Sequence, residues 1–154
     1  MQDGFKIKGY IHLLAKDVNG NVITDERYEN LIVNSGKAEV INLMGNVTSP
    51  TAFTFLGTGS GTNAAAPGDV ALQTENNSNG FVRAAAAVTR ATTNFANDTL
   101  QLVETRTATG AVTVAEVGVF NAISAGTMLG RKVITPRVYA STDQLTVTYS
   151  ITII

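Results

Sequence analysis

Cysteine is absent from the 154 residues. That excludes disulfides, thiolate metal sites and cysteine nucleophiles. Tryptophan is absent too, and aromatic residues make up only 6%. There is one histidine, His12. One imidazole without cysteine cannot build a histidine-based metal centre. Charge is scarce: 15% of residues are charged, against roughly 25% in ordinary globular chains. The signs balance, with 11 basic and 12 acidic residues and a formal charge of −1. No large field of one sign follows, so no direct nucleic-acid contact is expected. Long apolar runs are missing. The stretch from Ala84 to Val88 is far short of the ~20 residues a membrane span needs. The start, Met1-Gln2-Asp3-Gly4-Phe5-Lys6, has no basic-then-apolar signal pattern. The chain is therefore expected to be made and kept in the cytoplasm until assembly.

In place of charge, the chain carries many Thr, Ala, Val, Asn and Gly residues. A surface of these residues costs little to desolvate. Interface cores are depleted of charged residues, so this composition suits an outer face that is buried against partners. The length suits one domain, residues 1–154, and a core large enough to need no covalent staple.

Hydrophobic alternation dominates the pattern. Phe5, Ile7, Gly9, Ile11, Leu13 and Ala15 fall on one face of an alternating segment, which predicts a half-buried strand. Asn19-Gly20 is a strong hairpin signal, with a return strand from Val22 that could extend to Val33. The period then changes. Ser35 is placed to cap a helix. Ala38 or Leu43, with Val40, Ile41 and Met44, makes a stripe at helical spacing, and Gly45 is placed to end it. One short helix over about 35–45 is predicted. Ala52 to Leu56 reads as a short strand, followed by a long excursion over about 57–80. Phe81 to Phe95 is alanine-rich, but its alternation and threonines favour strand over helix. Thr99 to Thr107, Val112 to Phe120 and Met128 to Ile134 follow as strands. The last of these is expected to stop before Pro136, with Val138-Tyr139 resuming at an edge. Leu145, Val147, Tyr149, Ile151 and Ile153 give the clearest alternation. Seven to nine short strands and one helix predict an all-β domain, a β-sandwich or jelly-roll-like fold.

Catalytic chemistry finds little support. No Gly-x-Ser-x-Gly elbow accompanies His12, which reads as a surface or rim residue. Gly57-Thr58-Gly59-Ser60-Gly61 lacks the lysine and following helix of a phosphate loop, and its spacing fails the dinucleotide fingerprint. It reads as a flexible turn that allows positive φ. Asp17, Asn19 and Asn21 begin like a calcium loop, but a hairpin turn accounts for them. Asp25, Glu26 and Glu29 cluster in sequence, as could Asp69 and Glu75, without showing the fixed separation that paired-acid chemistry needs. No catalytic, cofactor-binding or metal-binding residue is assigned, and no enzyme activity is expected. Glu116 stands apart. It lies inside the apolar run Val114 to Phe120, where a buried carboxylate needs a partner. Arg83, Arg90, Arg106 and Arg131 are the candidates, and a buried ion pair that fixes sheet register is expected.

The order of motifs carries a resemblance. Lys16-Asp17-Val18-Asn19-Gly20-Asn21-Val22 is followed by Glu29-Asn30-Leu31-Ile32-Val33-Asn34-Ser35-Gly36. Then come Leu43-Met44-Gly45, Leu56-Gly57-Thr58-Gly59-Ser60-Gly61 and Leu72-Gln73-Thr74-Glu75. Ala115-Glu116-Val117-Gly118-Val119-Phe120, Gly126-Thr127-Met128-Leu129-Gly130-Arg131 and the alternating end complete it. This succession, over about residues 6–154, resembles the small virion structural proteins of tailed phages, either head decoration (cement) proteins or tail-fibre-type proteins. The resemblance implies a β-sandwich that binds the major capsid protein or other virion subunits and does no chemistry. A cement protein would sit outside the capsid, often as a homotrimer, and bridge capsid subunits. The alternative is a tail or fibre protein, with host-surface glycan binding as one role. The scarcity of aromatics favours cement, since sugar binding commonly uses them. The expected contact arms are the residues before Phe5 and the long excursion, with Gly57, Gly59, Gly61, Asn63, Pro67 and Glu75 as its candidate contact residues.

Overall fold

The computed structural model describes residue 4 and residues 6–154. Phe5, expected on the first strand, and residues 1–3 of the arm before it lie outside the described residues. β1 (Ile7–Lys16) and β2 (Val22–Ile32) form the first hairpin. Its turn is built by Asp17, whose carboxylate accepts the Asn19 and Asn21 N–H groups at 2.8 and 2.9 Å. Gly20 takes φ +83°, a conformation that glycine adopts without steric cost. These residues make a hairpin turn.

Helix α1 spans Asn34–Gly45. Val33, not Ser35, occupies the position before its first turn, and it makes no side-chain cap. Ser35 is already helical, and its hydroxyl donates to the Met128 carbonyl. The end also differs from expectation. Asn46, with φ 48°, takes the left-handed position. Its N–H reaches the Leu43 carbonyl, and the Val47 N–H reaches that of Asn42. This is the paired closure of a Schellman turn, one residue later than the glycine suggested. Gly36 presses the helix onto the sheet: a Cβ there would lie 2.3 Å from the Leu129 carbonyl oxygen. Only part of the apolar stripe is used. Val40 and Leu43 pack on the core, while Ile41 and Met44 are 65% and 72% exposed.

The remaining strands are β3 (Phe55–Gly59), β4 (Ala84–Ala85), β5 (Ala87–Ala91), β6 (Thr99–Thr107), β7 (Val112–Phe120), β8 (Met128–Tyr139) and β9 (Gln144–Ile153). The expected strand at 52–56 is thus shifted toward the glycines. β8 does not stop before Pro136. It runs through, and the pairing with β7 shifts there, from Glu116↔Val133 to Val114↔Arg137. A bulge leaves Pro136 outside the ladder, which is where a strand tolerates proline.

All pairs are antiparallel, in the order β4-β3-β7-β8-β2-β1-β9-β6-β5. The fold is all-β. The two ends of this sheet, β4 and β5, are successive pieces of one segment, joined at Ala86. The chain therefore curls almost into a closed barrel, flattened like a sandwich. β2 pairs with β8 only at Leu31 and Ile32, so that side opens as well. Ile11, Leu13, Leu102, Val147 and Tyr149 from one side meet Leu56, Val114, Ile134 and Tyr139 from the other in one core. Each such side chain contributes roughly 1.5–3 kcal/mol on burial. Among the described residues, no helix is long and apolar enough to cross a membrane.

Candidate interaction surface

The long excursion is fastened at its base by a buried carboxylate. Glu116 on β7 is 0% exposed. Its Oε1 accepts N–H groups from Gly61 and Thr74 at 3.1 and 2.8 Å. Its Oε2 accepts from the Gln73 N–H at 3.0 Å and from Arg131 Nε at 2.7 Å. Four donors thus satisfy one buried charge, as burial of a charge demands. Of the four arginines considered for Glu116, the partner is Arg131.

Arg131 extends the network outward. It donates to the Asp69 carboxylate at 2.8 Å and to the Asn63 carbonyl at 3.1 Å. Burial works against the Arg131 charge, and Asp69 and Glu116 outweigh it, so its pKa stands above the usual arginine value. The Ala66 N–H, resisted by partial burial and helped by Arg131, holds the Asp69 carboxyl below the usual range. Both ends of the excursion are therefore tied to β7 and β8.

Two further arginines act as clamps. Arg83 forms a two-pronged pair with Glu75, at 2.7 Å for each prong. It also donates to the Ala122 and Ala125 carbonyls, and its guanidinium lies 3.4 Å over the Phe120 ring. Arg106 points into the core. It donates to the Leu56 and Phe81 carbonyls and to Thr58 Oγ1, and it pairs with Glu104.

This geometry corrects the picture of a loose arm over 57–80. Gly57 and Gly59 belong to β3, and Gly61 follows it; all three are buried. None takes positive φ. Their role is close approach: a Cβ on Gly59 or on Gly61 would lie 2.5 Å from Glu116 Oε1. Glycine here signals room for a carboxylate rather than a turn. Asn63 and Pro67 are exposed. The Asn63 N–H is held by the Gln73 side chain, and the Pro67 carbonyl accepts from the Asn34 N–H at 2.8 Å. Glu75 is taken up by Arg83. The tip, around residues 62–71, offers side chains outward, with Val70 68% exposed, and so does the stretch from Asn77 to Asn79.

A second surface is broader. The outward residues of β5, β6, β9 and β1 align in rows. Thr89, Gln101, Ser150 and Tyr10 form one, Ala87, Val103, Thr148 and His12 the next, and Thr105, Thr146 and Leu14 a third. Across β5, β6 and β9 these rows hold no charged side chain. Charge returns on β1 and β2, where His12 meets Asp25 at 2.8 Å and Lys8 meets Glu29 at 3.9 Å. The acids flagged in sequence each take their own partner: Asp25 takes His12, Glu29 Lys8, Glu26 Arg137 and Tyr28, Asp69 Arg131, and Glu75 Arg83. Among the described residues, no three acids or histidines group to hold a metal.

Compared with known proteins, the chain matches no family model, and no curated protein matches it significantly.

Proposed function

We propose that the chain is a non-enzymatic structural subunit of a tailed-phage virion, a capsid decoration protein that stabilises the head by bridging capsid subunits. The observation that carries this reading is the charge-free outer face of β5, β6 and β9. Covering it with a partner removes no ion from water, which is the main electrostatic penalty of association. The face measures about 30 Å along the strands and about 15 Å across them. That is roughly half of the ~800 Å² per partner of a standard interface, so the rest of the contact would come from neighbouring strands. The arginine clamps hold the excursion rigid before binding, and an arm held rigid loses little entropy on docking. The motif order, which resembles that of small virion structural proteins, is in keeping with this class.

The alternative is a tail or fibre subunit, which would use the same face against other partners. Gold-labelled antibody on purified particles separates these readings. Label distributed over the head supports decoration. Label confined to the tail moves the protein to the alternative, and particles without label overturn both.

A further inference from the structure

Besides the thinly paired β2–β8 side, the nearly closed barrel has an open seam at the ends of its sheet. Up to Ala86 the ends of the sheet are joined, by β4 on β3 and by the Ala86 N–H on the Thr54 carbonyl. Beyond Ala86 they part. β5 pairs with β6 on one side, and it is the terminal strand of the sheet. Among the described residues its other edge has no ladder partner. A bare edge presents unpaired N–H and C=O groups, which are a template for another strand.

Behind that edge lies a cavity of about 500 Å³. Val40 and Leu43 of α1, with Phe53, Leu100, Val88 and Ile151, form its apolar walls. Val88 occupies an inward position, in register with buried Leu102 and Tyr149, yet it is 41% exposed. Among the described residues no strand covers it. Arg90, two residues on, shares the inward face and lines the same cavity. Unlike Arg83, Arg106 and Arg131, it pairs with no acid among the described residues. The nearby Asp98 is not available, because its carboxylate is occupied by the N–H groups of Thr93, Asn94 and Phe95.

We propose that this seam is a strand-docking site. An extended segment of a partner virion subunit pairs with the free edge of β5, places alternate apolar side chains in the cavity and sets a carboxylate against Arg90. Backbone pairing supplies affinity in such strand addition, and pockets for alternate side chains supply selectivity. A free amphiphile would fill the cavity but leave the β5 edge bare. The inference rests on the assembly reading above and specifies how one partner is held.

The test uses the whole chain and a short, end-blocked, fluorescently labelled peptide of alternating valine and threonine with one central glutamate. Saturable anisotropy is expected, together with slowed hydrogen exchange at the β5 amides. Lysine in place of the glutamate weakens binding by about tenfold or more, and Arg90→Glu restores it for the lysine peptide. Prolines at alternate positions abolish binding. No binding, or binding indifferent to proline and to Arg90→Glu, overturns the proposal. Val88 is exposed enough for Val88→Asp to fold. If Val88→Asp still sediments with capsids as the parent does, the seam is not the docking site, and the assembly reading stands. If the peptide binds as described but capsids do not, the seam stands and the assembly reading fails.

Discussion

Glu116 and Arg131 meet at 2.7 Å between β7 and β8, with side chains 0% and 3% exposed. Removing one charge of such a pair strands the other and costs roughly 3–5 kcal/mol. Glu116→Gln keeps the shape but points an amide at the N–H groups of Gly61, Gln73 or Thr74. A loss of about 3 kcal/mol is expected, read as a lower urea midpoint. Hydrogen exchange at Gly61, Gln73 and Thr74 should accelerate with it. An unchanged midpoint would mean that the excursion is held by other contacts.

The glycines around that carboxylate give a sharper contrast. Gly59→Ala or Gly61→Ala would set a Cβ 2.5 Å from Glu116 Oε1. Overpacking of this kind costs about 1–3 kcal/mol. Gly68→Ala meets nothing within 4 Å, so its effect should stay within about 0.5 kcal/mol. Thermal melts of the three variants check the ranking.

Asp98 anchors the 92–98 turn. Burial works to raise its carboxyl, and the N–H groups of Asn94, Phe95 and Thr93 with the Thr99 hydroxyl outweigh it, holding the pKa at about 2 against an ordinary 3.8. The folded value lies below the unfolded one, so the unfolded chain binds the proton first as pH falls. The contribution is present above pH 3.8 and is lost as pH falls toward about 2. Glu104 acts in the opposite sense, because burial raises its carboxyl by more than Arg106 lowers it. Comparison with Asp98→Asn isolates the Asp98 effect. The gap in Tm between parent and variant should narrow across that window; a constant gap would contradict the assignment.

How much of this was legible in the sequence depends on which signals were unambiguous. Alternation located β1, β6 and β9, because a half-buried strand leaves a period of two, and a run apolar on both faces located β7. Glu116 stood out as a carboxylate inside an apolar run. Its partner did not, since nothing local separates Arg131 from Arg83, Arg90 or Arg106; register between distant strands decides it. Gly57, Gly59 and Gly61 misled, because glycine serves turns and close approach alike. Pro136 misled because its bulge is a property of two paired strands. Ile41 and Met44 fit a helical stripe, yet only Val40 and Leu43 meet the core.

Charge placed on the neutral sheet face tests its role without disturbing the fold. Thr89 and Thr105 are exposed, so Thr89→Lys with Thr105→Lys should change stability by less than about 1 kcal/mol. Binding to particles should fall sharply, because two ammonium groups would then be desolvated at the contact. Urea melts and particle sedimentation on the same preparation read both quantities.

The central claim is that the chain acts by assembling onto a phage head. The measurement that meets it most directly is the mass of the purified chain by light scattering, alone and with empty phage capsids. The account predicts a stable homo-oligomer, a trimer, that joins the capsid fraction at saturable occupancy. A chain that leaves the capsid mass unchanged at every concentration would contradict it.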